Sequence, residues 1–223
     1  MKPQKVLGRT TTPDGRELVL YERDGVFSIR VGGLELMSSR AHGSEEALAR
    51  LVLSCIKSDC RPKVLVGGLG MGFTLRAVLD AQPQVSSVVV AELLPSVVSW
   101  NRRELAHLAH EPLEDERVSV VEGDVGDVIA ANPDRFDAIL LDVDNGPAAF
   151  TTARNKGLYE TASLVSIRRS LRAKGVFGVW SADPDPAFAR RLAKAGFRVR
   201  TERVSARDSV KGPKHTVFVA QRS

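Results

Sequence analysis

From Val6 to Met37, apolar and polar positions alternate, and the alternation breaks at Pro13-Asp14-Gly15, Asp24-Gly25 and Gly32-Gly33. A period of two interrupted by turn residues predicts short antiparallel hairpins. From Ser44 the period lengthens: Ala47, Leu48, Leu51, Val52, Cys55 and Ile56 recur at helical intervals, and Glu46 lies close to capping-box spacing. Beyond this helix, short apolar runs alternate with helical segments. The runs are Lys63 to Val66, Val88 to Ala91, Val118 to Val121, Ala138 to Leu141 and Val176 to Trp180. Such alternation specifies right-handed crossovers and a parallel sheet covered on both faces. Phe197 to Val199 and Thr216 to Val219 have no helical pattern between them, which predicts an antiparallel pair at the sheet edge. The expected fold is therefore α/β, a Rossmann-like, mostly parallel sheet (residues 41–223) behind a small β-hairpin appendage (residues 1–40). The loops from Asp144 to Lys156 and from Ser205 to Lys214 are expected to be the most mobile.

Composition narrows the class. With 223 residues and 43% hydrophobic content, one sizeable domain plus an appendage can be buried. No apolar run reaches a membrane-spanning length, and the first residues lack the apolar stretch of a signal peptide, so a cytoplasmic protein without membrane association is expected. Cys55 and Cys60 fall within one helical pattern on different faces, which argues against a bridge. The net charge of +5 could mark a polyanion site. However, Arg168, Arg169, Arg172 and Lys174 close one helical segment and Arg190, Arg191 and Lys194 another, where cations suit the helix dipole. Nucleic acid is therefore not the expected partner.

The candidate chemistry lies at the strand ends. The first parallel strand runs into Gly67-Gly68-Leu69-Gly70-Met71-Gly72, spaced as GxGxG at Gly68, Gly70 and Gly72 rather than as the dinucleotide GxGxxG. Glycines there admit positive φ and close approach of a ligand. Glu92, followed by Leu93, ends the second strand at the distance where an acid accepts bonds from ribose hydroxyls. Asp124, between Gly123 and Val125, ends the third strand, and Asp142 ends the fourth. Four successive strands thus deliver a glycine turn or a carboxylate to one carboxyl edge, the edge where open α/β sheets bind ligands. No Cys/His spacing suggests a metal. His42 could reach this cleft, while Trp100 and Trp180 read as core.

This ordered set resembles the class I S-adenosylmethionine-dependent transferases. From about Ser28 to Gly175 the chain more closely resembles the spermidine synthase family: the run Gly67 to Arg76 echoes its GGGDGGxxR turn, and Asp142-Val143-Asp144-Asn145-Gly146-Pro147 echoes its DxxDPxGP loop. The resemblance implies an alkyl transferase whose donor substrate is S-adenosylmethionine or its decarboxylated form. Donor contacts fall on Gly68, Leu69, Gly70, Gly72, Glu92, Leu93, Gly123, Asp124 and Val125. Asp142 is the catalytic base, and Asp144 and Tyr159 are acceptor contacts, although packing beside Leu158 and Leu164 at helical spacing is the favoured reading of Tyr159. A homodimer and a small acceptor, an amine, are also implied.

The departures bear on the reaction. Gly70 or Leu69 stands where the family has the acid that pairs with the donor's amine, Leu36 replaces its hairpin Gln, and Ser44-Glu45 replaces its Tyr-His pair. On that ground methyl transfer is favoured over aminopropyl transfer, which stays the alternative. A non-catalytic nucleoside-binding protein is the third reading.

Overall fold

The computed structural model describes residues 3–57, 60–81, 84–143, 157–206 and 213–223. Among them the strands form two sheets. The first is a meander of β1 (Lys5–Thr11), β2 (Glu17–Arg23), β3 (Val26–Val31) and β4 (Leu34–Ser38), antiparallel throughout. Its last two turns are built on paired left-handed residues, Asp24-Gly25 and Gly32-Gly33, whose twist matches that of the flanking strands. The inward residues Leu18, Leu20, Phe27, Ile29 and Val31 belong to the same apolar cluster as Val64, Val66, Val88 and Val90 of the second sheet. The appendage is therefore packed into the body of the molecule.

The second sheet contains β5 (Lys63–Gly67), β6 (Ser87–Glu92), β7 (Val118–Glu122), β8 (Phe136–Leu141), β9 (Leu171–Ser181), β10 (Phe197–Ser205) and β11 (Lys214–Arg222), in the order β10-β11-β9-β8-β5-β6-β7. The five strands from β5 to β9 pair in parallel, and β11 pairs antiparallel with both β9 and β10. This is the Rossmann-like class I methyltransferase arrangement. The last two strands are longer than their apolar cores suggest, and β11 lies inside the sheet, which leaves β10 as the edge. Three consecutive core residues of β11, Val217 to Val219, are buried, as a strand covered on both faces requires.

Helices α1 (Gly43–Leu53), α2 (Phe73–Ala81), α3 (Pro95–Asn101), α4 (Val125–Ala131), α5 (Thr161–Ser170) and α6 (Pro186–Lys194) cover the sheet. Leu48 and Val52 of α1, both fully buried, press onto β9 at Gly178, where an added Cβ would stand 2.3 Å from Val52. Burial of each side chain is worth about 1.5–3 kcal/mol.

Three sequence expectations are corrected here. Helix α1 stops at Leu53, so Cys55 and Cys60 lie beyond it, partly buried and exposed respectively, and neither forms a disulfide among the described residues. The capping box does not form, because the helix begins at Gly43 and Glu46 accepts instead from His42 Nδ1 at 2.7 Å. Helix α5 ends at Ser170, so of its expected cations only Arg168 and Arg169 sit in the last turn; Arg172 belongs to β9 and pairs with Asp137 at 3.1 Å. Among the described residues no helix is long and apolar enough to cross a membrane.

Candidate functional site

The glycine turn begins where β5 ends. Gly68, Gly70 and Gly72 all have positive φ. Gly68 is the most constrained: a Cβ there would lie 2.4 Å from the backbone oxygen of Asp142, so the turn can pass the end of β8 only without a side chain. Gly72 is pressed against Asn101 and Pro112, and Asn101 donates to the Gly70 carbonyl at 2.8 Å.

Glu92, a residue only 8% exposed, ends β6 with its carboxylate. One oxygen accepts from the Leu69 N–H and the other from the Leu94 N–H, each at 2.9 Å. Burial pushes this carboxyl upward against the opposing pull of those backbone N–H groups. Asp124 caps α4 by accepting from the Gly126 N–H at 2.8 Å. One cavity gathers Gly68, Gly70, Glu92, Leu93, Gly123, Asp124, Val125 and Asp142, so most of the expected donor contacts converge. Leu69 faces a second cavity, and Gly72 faces neither, acting through the shape of the turn. Apart from Leu36, sequence patterning missed the wall formed by Thr12, Arg16, Leu18, Ile29, Leu36 and Met37 of the first sheet and its first turn.

The second cavity adjoins the first and shares Leu36, Met37, Gly70 and Asp142 with it. Asp142 is held by the Thr74 hydroxyl, which donates to Oδ2 at 2.6 Å. Glu45 reaches the same cavity from the first turn of α1. Burial pushes its carboxyl up to about 7, and the negative charge of Asp142 adds to the shift; burial likewise lifts Asp142, to about 6. Thr74 carries no sequence signal of its own, and Glu45 is visible only as a departure from the family's Tyr-His pair; the packing of α1 beside α2 and the end of β8 brings them together.

Trp180 also lines this cavity, with its ring edge-on to His215 at 4.7 Å, and so has a place beyond the core role its sequence position suggests. His42 is elsewhere, stacked on Phe73 at 4.3 Å. Tyr159 is 2% exposed and packs edge-on against Phe188, lining neither cavity; the packing alternative describes it, in place of the expected acceptor contact. Asp144, with Asn145, Gly146 and Pro147, lies outside the described residues, as do most of the two loops expected to be mobile. Among the described residues no group of three His, Cys, Asp or Glu side chains is arranged to hold a metal.

The raised Glu45 pKa has a measurable consequence. A carboxyl with a folded pKa above its unfolded value of 4.5 makes the folded chain bind extra protons between that value and about 7, so its contribution to stability is lost as pH rises through this window. Glu45→Gln removes the loss. The variant is expected to melt roughly 2–4 °C above the parent at about pH 8, corresponding to about 1 kcal/mol, and to match it near pH 4. Thermal melts giving the same difference at both values would rule this out.

A carboxyl-edge cavity built from a glycine turn and strand-end acids, on a sheet of this order, defines a class I methyltransferase-like fold. A family model described as the spermine/spermidine synthase domain matches residues 41–187, and the chain belongs to that family. It is 27% identical over 204 residues to Polyamine aminopropyltransferase 2 of Ralstonia nicotianae, an alignment covering 87% of this chain and 38% of the relative. It is also 30% identical over 121 residues to the Polyamine aminopropyltransferase of Bacillus mycoides, covering 54% and 42%. The chain thus spans less than half the length of these curated relatives. Among solved structures, the spermidine synthase from Thermotoga maritima superposes with a TM-score of 0.79 at 20% identity, covering 98% of this chain and 73% of that one. A spermidine synthase in complex with the transition-state analogue AdoDATO gives 0.81 at 21% identity, covering 98% and 74%.

Proposed function

We propose that this chain transfers an aminopropyl group from decarboxylated S-adenosylmethionine to a small amine. The observation that carries this reading is the pair of carboxylates, Asp142 and Glu45, in the cavity beside the nucleoside cradle. A cationic amine entering a partly buried pocket needs negative charge to replace its hydration. The sequence favoured methyl transfer because the glycine turn lacks an acid; Glu45 supplies one to the same cavity from α1. Family membership and the names of the relatives support the same choice.

Glu92 and Asp124 would hold the nucleoside, and Asp142 stands where the two cavities meet. The acceptor arrives as an ammonium and gives one proton to Asp142. Its freed lone pair attacks the methylene carbon bonded to the sulfonium, the carbon–sulfur bond breaks with its electrons going to sulfur, and the products are a secondary ammonium and a neutral thioether. No acid is needed at the leaving group, so catalysis rests on alignment, exclusion of water and this one deprotonation.

Methyl transfer from S-adenosylmethionine is the second reading. It is favoured by Gly70, which carries no carboxylate and faces Met37, whose sulfur would lie 3.3 Å from an added Cβ. Calorimetry with each donor, together with product analysis over a panel of amines, separates the two. We expect the decarboxylated donor to bind at least tenfold more tightly and to give aminopropylated product. Preference for S-adenosylmethionine with methylated product would reverse the assignment, and no product from either donor would leave a binding protein.

A further inference from the structure

The acceptor cavity contains a polar chain that the reaction above does not use. Ser44, fully buried at the start of α1, donates its hydroxyl to Glu45 Oε2 at 2.6 Å and lies 2.9 Å from Nδ1 of His215. Glu45 and Ser44 belong to α1 and His215 to β11, so the contact joins two distant parts of the sequence. The start of α1 is tied to the residue after β10 by a hydrogen bond from the Gly43 N–H to the Ala206 carbonyl at 3.1 Å. The Trp180 ring borders His215 on another side.

We propose that Glu45, Ser44 and His215 form a proton path out of the acceptor cavity, with Ser44 and His215 acting as positioning residues that drain the proton collected at Asp142. This rests on the transfer reaction proposed above. Each turnover releases one proton, and Asp142 lies at the wall common to both cavities, where bound reactants would separate it from water. Glu45 lines the same cavity as Asp142 and interacts with it electrostatically, so it is the carboxylate placed to share that proton. Once protonated, Glu45 donates to Ser44 Oγ, and the serine hydroxyl, released from its bond to Oε2, turns and gives its own proton to the unprotonated Nδ1 of His215. The imidazole then yields a proton to solvent, and the chain returns to its starting orientation. No oxidant or further reactant is involved. The charged groups facing this path are Asp142 and Glu46 around Glu45, and Asp183 and Arg203 around His215. Burial lowers the His215 pKa, so the ring does not hold the proton it receives.

His215→Gln preserves a hydrogen-bonding partner for Ser44 but cannot relay a proton, which separates relay from simple bracing. With either donor that the parent turns over, the variant is expected to keep its melting temperature and donor KM while kcat falls about tenfold. Imidazole added to His215→Ala should restore the rate in proportion to its unprotonated fraction, a response that refilling of space alone would not give. An unchanged kcat in His215→Gln with no rescue of His215→Ala overturns the path. If the parent turns over neither donor, the transfer reading has failed, and the path is then judged by NMR titration of His215: a pKa that falls in Glu45→Gln supports the linked chain, and an unmoved pKa removes it.

Discussion

Asp142→Asn is expected to lower kcat for aminopropyl transfer by about a thousandfold while the donor KM stays within a few-fold of the parent. Asparagine has nearly the same shape, and its carbonyl oxygen can accept from the Thr74 hydroxyl as the carboxylate does at 2.6 Å. What it cannot do is take a proton from the acceptor ammonium. Steady-state kinetics on the purified variant decide the matter: retention of more than a tenth of the parent kcat would remove Asp142 from the role of base. The pH dependence has the corresponding sign. The working form of Asp142 is ionised, and burial raises its pKa to about 6, so activity should fall as pH drops through that value.

The second large effect is structural. Gly68→Ala should destabilise the chain by about 3 kcal/mol, a fall of roughly 6–12 °C in Tm. The new Cβ would meet the Asp142 carbonyl at 2.4 Å, and because the obstacle is backbone, no rotamer change relieves it. The positive φ of 89° adds strain for any L side chain. Gly70→Ala is the matched control, since its Cβ would meet only the flexible end of Met37 at 3.3 Å. Calorimetric melts in which both variants fall equally would show that close passage over β8 is not what constrains the turn.

The features visible in the sequence are those whose cause is local. Asp24-Gly25 and Gly32-Gly33 announce their turns because few residues tolerate left-handed backbone, and the spacing of Gly68, Glu92, Asp124 and Asp142 follows from one carboxylate or glycine turn per strand end. What stayed hidden depends on which elements topology makes neighbours. Thr74 and His215 are ordinary residues in the linear chain, Ser44-Glu45 and Leu36 show only as departures from the family's pattern, and the wall from Thr12 to Met37 joins the cradle only because the meander packs against β5 and β6. The capping-box pattern misled because Glu46 is claimed by His42, a competitor outside the motif.

In the proposed reaction the transferred group crosses directly between two cavities that share Leu36, Met37, Gly70 and Asp142. A group passing directly between adjoining chambers is never handed to the enzyme itself, so both reactants must be present before any bond changes. Turnover then proceeds through a ternary complex, and the migrating carbon undergoes a single inversion of configuration.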